Sequence, residues 1–146
     1  MRLTSSNPHE TEEIGFKIGK ILKAGDIVGL YGDLGSGKTT MVKGIASALG
    51  IDSRDVTSAS FTIIAEYKST PNFYHIDLYR IGKDDDIYNT GIWDCIRDDS
   101  ISVIEWAEKV KDELKEDIIK ITIESKGDRK REISIEGINE EDWDNL

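Results

Sequence analysis

Gly32-Asp33-Leu34-Gly35-Ser36-Gly37-Lys38-Thr39 fits the spacing G-x-x-x-x-G-K-[ST], and the apolar run Ile27-Val28-Gly29-Leu30-Tyr31 stands directly before it. That order, buried strand then glycine-rich loop then helix, is the context in which such a loop closes around phosphates. Its glycines let successive backbone N–H groups point into one concavity, and the helix that follows, expected from Lys38 to Leu49, adds the positive end of its dipole. Asp33, Leu34, Gly35, Ser36 and Gly37 would form the cradle. Lys38 would reach the β- and γ-phosphates, the Thr39 hydroxyl would ligate Mg²⁺, and Thr40 would lie beside the α-phosphate. The chemistry implied is binding of a nucleoside triphosphate with magnesium.

A phosphate loop of this kind needs carboxylates, because the metal that bridges the phosphates is held from the end of a neighbouring buried strand. Two residues have that placement. Glu105 closes the apolar run Ile101-Ser102-Val103-Ile104, and Asp77 lies in Phe73-Tyr74-His75-Ile76-Asp77-Leu78-Tyr79, where a period of two puts His75, Asp77 and Tyr79 on one face. Either carboxylate can serve the metal while the other orients water. A lone His in an aromatic strand is commonly structural, which is the ordinary reading of His75. Arg80 can pair with Asp77 or reach a phosphate, and pairing is the commoner outcome. Trp106 can present a face to a base or a partner, though packing is the usual role of a tryptophan at a strand end. Arg129-Lys130-Arg131 reads by default as a solvated turn, with Arg129 the candidate to reach the nucleotide from above.

The elements that must position these groups follow from the hydrophobic pattern. Asn7-Pro8-His9-Glu10 has an N-cap, a proline at the first helical position and a glutamate at the capping-box position, and Ile14, Ile18, Ile21 and Leu22 continue at helical spacing to about Lys23. Gly50 would end the helix after the phosphate loop. Phe61–Tyr67 and Phe73–Tyr79 read as antiparallel strands joined through 68–72, a helical segment is expected around Ile87–Ile96, and Ile118–Ile123 with Arg131–Ile135 reads as a C-terminal β-hairpin. The expected fold class is α/β: one P-loop NTPase-like domain over residues 1–146, with a mixed β-sheet flanked by helices.

Composition narrows the functions. The 146 residues are 38% hydrophobic and 33% charged, an ordinary globular balance, and no apolar run approaches the ~20 residues needed to cross a bilayer. A net charge of −10 opposes the electrostatic grip on a phosphate backbone, so any service to nucleic acid is expected through another subunit. The N-terminal residues lack the apolar segment of a secretory signal and the one cysteine, Cys95, has no partner, so a cytoplasmic location is expected. A small-molecule kinase would use the same phosphate loop, but the strand-rich remainder offers no arginine-rich lid; a nucleotide-gated binding module with negligible turnover is the other alternative.

Taken together, the phosphate loop with Thr40, the segment Ser58-Ala59-Ser60-Phe61-Thr62, the strand Tyr74-His75-Ile76-Asp77-Leu78-Tyr79-Arg80 and Ile104-Glu105-Trp106 resemble the bacterial TsaE (YjeE) family over nearly the whole chain. The resemblance implies an ATPase that assists formation of N6-threonylcarbamoyladenosine at position 37 of tRNAs reading codons that begin with A. It implies action with a TsaB–TsaD complex that is reset by ATP hydrolysis, with tRNA met only through that complex. It also implies phosphate contacts from Lys38 and Thr40, Mg²⁺ held by Thr39 and Glu105, and support of hydrolysis by Asp77. Ala59 and Ser60 depart from the family's Ser-Pro-Thr-Phe-Thr; Ser60 keeps a hydroxyl for phosphate, Mg²⁺ or water, while loss of the proline loosens the loop before binding. Ala107 likewise stands where the family often has proline after the tryptophan.

Overall fold

The computed structural model describes residues 1–57, 63–82 and 87–146. The chain order is β1 (Arg2–Ser5), α1 (Pro8–Ile21), β2 (Ile27–Tyr31), α2 (Lys38–Ala48), β3 (Ile64–Tyr67), β4 (Asn72–Asp77), α3 (Ile92–Cys95), β5 (Ser100–Glu105), β6 (Ile119–Ser125), β7 (Arg131–Glu136) and α4 (Glu140–Asp144). All seven strands form one sheet in the order β1-β7-β6-β2-β5-β4-β3. Its centre is parallel, since β2 pairs in parallel with both β5 and β6, and β4 pairs in parallel with β5. The outer pairs β3–β4, β6–β7 and β1–β7 are antiparallel. The sheet is therefore mixed, and the α/β expectation holds.

Burial explains the patterns. β2 lies at the middle of the sheet with Ile27, Val28 and Leu30 all buried, which is why it reads as an unbroken apolar run rather than an alternating one. One face of the sheet carries α1 and α2 over Val28, Leu30, Phe73, Val103, Ile121 and Ile133. The other face packs Ile27, Ile76 and Ile104 under Ile92, Ala107 and Val110. The carboxyl ends of β2, β5 and β4 lie side by side with the N-terminus of α2 following β2, and the carboxyl ends of parallel strands are where α/β proteins bind ligands.

Local signals set the boundaries. Asn7 caps α1 by accepting the Glu10 N–H at 2.9 Å, and the Glu10 carboxylate takes the Ser6 N–H at 2.7 Å, one residue before the position a standard capping box uses. The helix stops at Ile21 rather than Lys23, because Leu22 turns extended as the C-cap. Two other expectations change. β4 ends at Asp77, so Tyr79 leaves the alternation shared by His75 and Asp77 and stands exposed. The segment 87–96 splits into a 3-10 turn at Ile87–Thr90 and the short α3. β3 begins at Ile64, and the expected strand start at Phe61 and Thr62 lies outside the described residues. The strand β1 and helix α4 carry too few residues for a periodicity, and β1 forms because β7 presents an edge for it.

The α1–α2 contact is made by glycines. A Cβ on Gly44 of α2 would run into the backbone of α1 at the Glu12 carbonyl and, at 2.8 Å, the Phe16 nitrogen; one on Gly19 of α1 would lie 2.7 Å from the Ile45 carbonyl. Backbone cannot rotate away as a side chain can, so Gly44→Ala has to push the helices apart. The overpacking cost of about 3 kcal/mol exceeds the gain of about 1 kcal/mol in helix propensity. We expect Gly44→Ala to lower the melting temperature by about 4–8 °C, read by circular dichroism; an unchanged or higher value would refute this account of the helix pair.

Candidate functional site

The loop between β2 and α2 begins at Gly32, where a Cβ would come within 2.5 Å of the Ile123 carbonyl and 2.7 Å of Ser36 Oγ, so the turn is passable only without a side chain. It ends at Gly37, which caps α2 in the left-handed region at φ 110° and provides no side-chain cap. The N–H groups of the first turn are thereby left for another acceptor, and no acidic residue occupies that turn. Leu34 stands at the lip, 73% exposed.

Within the concavity the Lys38 ammonium donates to the Gly32 and Asp33 carbonyls, the latter at 3.0 Å. It also lies 4.0 Å from the centre of the Trp106 ring. Burial pushes the Lys38 pKa below its usual value, against the pull of Glu105, Glu108, Asp77 and Asp33. Trp106 owes its position to a left-handed backbone at φ 61°, a conformation unusual for a residue with a side chain, which turns the chain sharply at the end of β5. Tyr79 packs against the same indole with ring centres 5.3 Å apart.

The two carboxylates arrive from adjacent strands. Asp77 and Glu105 are direct partners in the parallel β4–β5 register and are each 3% exposed. Thr39 Oγ1 lies 3.3 and 3.4 Å from the two Glu105 oxygens. Asp77 instead accepts the Tyr79 N–H at 2.9 Å, and its own N–H donates to the carbonyl of Ile63, which stands in the left-handed region at φ 66°. His75, fully buried, places Nε2 2.5 Å from Glu105 Oε2. A cavity of ≈ 370 Å³ is lined by Leu34, Gly35, Gly37, Lys38, Thr39, Thr40, Asp77, Tyr79, Glu105 and Trp106, a size suited to a small ligand.

The donor set fits magnesium. Among the described residues no three His, Cys, Asp or Glu side chains are grouped to hold a metal. What Thr39 and Glu105 offer is one hydroxyl and one carboxylate, hard oxygen donors that leave most positions to phosphate and water, as Mg²⁺ prefers.

A second cavity continues behind the loop from Thr40, lined by Pro8, Thr11, Gly35, Ser36, Gly37, Arg129 and Arg131. Arg129 thus borders the space next to Thr40, exposed on the β6–β7 connection. Of the two arginines in the basic cluster, Arg131 is the one that turns to the loop: its Nε donates to the Ser36 carbonyl at 2.8 Å and its guanidinium also reaches Gly35 O at 3.4 Å. The basic cluster was visible; which of its members turns inward depends on β7 pairing with β6. Arg80 is exposed. Ser60 lies outside the described residues. No helix among the described residues is long and apolar enough to cross a membrane.

Burial, with the neighbouring Glu105 charge adding to it, holds Asp77 above the usual carboxylate range, while the Tyr79 N–H, His75 and Lys38 pull the other way. The folded protein therefore binds this proton more tightly than the unfolded chain, and stability falls as pH rises from the unfolded value of about 4 through the raised folded one. In metal-free protein kept in a chelator, Asp77→Asn should melt a few degrees above wild type at pH 7, with the difference vanishing near pH 4. A melting difference that stays constant across that range would refute it.

A model of the family described as "Threonylcarbamoyl adenosine biosynthesis protein TsaE" matches residues 5–133. The chain is 37% identical over 135 residues to "tRNA threonylcarbamoyladenosine biosynthesis protein TsaE" of Treponema pallidum (strain Nichols), covering 92% of this chain and 99% of that one. It is 38% identical over 133 residues to the protein of the same name from Bacillus subtilis (strain 168), covering 90% and 82%. Among solved structures, "Crystal structure of Bacillus subtilus YdiB" superposes with a TM-score of 0.76 at 34% identity, covering 92% of this chain and 83% of that one. With a phosphate loop, a buried carboxylate pair and a family model that spans most of its length, this chain belongs to the TsaE family.

Proposed function

We propose that the protein is a magnesium-dependent ATPase of tRNA threonylcarbamoyladenosine biosynthesis, acting with a TsaB–TsaD complex that is reset between turnovers by ATP binding and hydrolysis. The observation that carries the ATPase reading is the meeting of Thr39 with Glu105 at 3.3 Å, directly beside Lys38 and at the mouth of the backbone cradle. The biosynthetic role rests on the family.

The residues divide the work by position. The N–H groups of Gly35, Ser36, Gly37 and the first turn of α2 receive the β-phosphate, and Thr40 borders the α-phosphate. Lys38 exchanges its two loop carbonyls for phosphate oxygens, and its burial strengthens that attraction by removing competing water. Thr39 and Glu105 hold Mg²⁺, which when bound neutralises charge on the transferring phosphoryl group. Glu105 rather than Asp77 takes this role because Thr39 lies against it. Asp77, one strand further out, accepts a hydrogen bond from the attacking water and orients it. Arg131 stiffens the loop from behind, and the cavity between Thr11 and Arg129 receives the adenosine.

The acidic surface argues that tRNA is met through the partner complex and not gripped directly. The location that suits these partners is the cytoplasm.

The test is ADP formation from ATP and Mg²⁺ by wild type and Glu105→Ala, each alone and with purified TsaB–TsaD and tRNA. Weak solitary hydrolysis, stimulated by the complex and reduced by at least about a hundredfold in Glu105→Ala, is expected. Tight ATP binding without stimulation would refute the accessory-ATPase reading. In cells whose only copy carries Lys38→Ala, the threonylcarbamoyl modification of tRNA should be lost; normal modification would equally refute it.

A further inference from the structure

Glu105 is the last residue of β5, where its carbonyl accepts the Leu78 N–H, and its side chain has three torsions with which to leave the cleft. Its natural ionic partner is engaged elsewhere, since the Lys38 ammonium donates to the Gly32 and Asp33 carbonyls. The Thr39 hydroxyl approaches only at 3.3–3.4 Å. The short bond is the one from His75, 2.5 Å from Nε2 to Oε2. It is not a product of the backbone register, which pairs His75 with Val103 and sets Asp77 opposite Glu105. The imidazole reaches along the strand, past its own partner, to the next inward-facing side chain.

Among the described residues the His75 ring makes no second polar contact that would explain its presence. His75 is fully buried, and its Nδ1 has no hydrogen-bond partner among the described residues. An unpartnered buried nitrogen costs about 1–3 kcal/mol, so an apolar residue would pack this position at less cost. Because a carboxylate can only accept, Nε2 is the donor, and among the described residues the ring's one polar task is to hold one oxygen of Glu105.

We infer that His75 is a positioning residue that holds Glu105 Oε2 and so disfavours use of the carboxylate through both oxygens, each of which lies 3.3–3.4 Å from Thr39 Oγ1. The inference rests on the reading of Glu105 as the metal carboxylate. It concerns specificity as well as affinity. Mg²⁺ is small, demands near-octahedral geometry and takes one oxygen per carboxylate, whereas Ca²⁺ readily accepts a carboxylate through both oxygens at longer distance. A Glu105 tied at Oε2 suits the first ion and disfavours the second. Removing the donor frees both oxygens and lets the side chain swing.

The experiment follows ADP binding to the full-length protein by calorimetry while Mg²⁺ or Ca²⁺ is titrated, and needs no turnover. The variants are His75→Leu, which removes the donor; His75→Gln, whose amide nitrogen reaches as far as Nε2; and Glu105→Gln. His75→Leu should raise the half-saturating Mg²⁺ concentration by about tenfold to a hundredfold, narrow the preference for Mg²⁺ over Ca²⁺, and leave ADP affinity without metal unchanged. His75→Gln should recover most of both losses. If His75→Leu does not fold, His75→Asn, whose amide falls one methylene short, takes its place in the comparison with Gln. Unchanged Mg²⁺ dependence in the donor-less variant, or equal loss of ADP affinity with and without metal, would overturn the inference. If Glu105→Gln itself leaves metal dependence unaltered, the assignment of Glu105 fails first and the role of His75 falls with it. If Glu105→Gln abolishes metal dependence while His75→Leu does not alter it, only the inference fails.

Discussion

Lys38, Asp77 and Glu105 are all at least 95% buried, and removing each charge from water costs several kcal/mol unless partners stand ready. The architecture around the cleft supplies those partners. Lys38 is met by two backbone carbonyls and an indole face, Glu105 by an imidazole and a hydroxyl, and Asp77 by the Tyr79 amide. Apart from Thr39, which the first turn of α2 supplies, every partner belongs to the carboxyl end of a parallel strand or to the segment just beyond it. Burial pushes the Asp77 carboxyl above the ordinary range, against the Tyr79 amide that bonds it.

Holding such a cleft open requires rigid walls. The wall above is α2, whose first turn supplies Lys38 and Thr39, and α2 is locked by backbone-to-backbone contact with α1 through Gly15, Gly19 and Gly44. The wall below is the sheet, in which β2, β4 and β5 are parallel and in register, so that a residue two positions from Asp77 can reach Glu105. Two non-glycine residues with positive φ, Ile63 and Trp106, flank the carboxylates, the first through its carbonyl and the second through the peptide bond to Glu105. Strained backbone of this kind persists only where the surroundings over-determine it, and among the described residues both non-glycine instances lie beside the two carboxylates.

Much of this was legible beforehand where one local signal was enough. The phosphate loop was fixed by spacing, β2 by its apolar run, α1 by Asn7, Pro8 and Glu10, and the last hairpin by two apolar alternations around Lys126-Gly127-Asp128. Failures came where a local signal was weak or tertiary contact overrode it. β1 is four residues long and exists only as the edge partner of β7. β4 looks like a strand through Tyr79, but pairing with β5 ends at the Asp77–Glu105 rung. Of the basic cluster, sequence favoured Arg129, while pairing of β7 with β6 turned Arg131 toward the loop carbonyls.

The sequence by itself determined the groups on offer: a loop shaped by glycines, a lysine and hydroxyls after it, and two carboxylates at the ends of apolar strands. These are properties of residue type, spacing and period, which act over a few residues and can be read from the chain. Tertiary structure decided which of those groups touch. The placement of β5 and β6 on either side of β2, the choice of Glu105 over Asp77 as the neighbour of Thr39, and the reach of His75 to Glu105 all depend on strand order and register between segments tens of residues apart. Those are settled by burying the faces of the whole sheet at once, an interaction that no single stretch of the chain carries.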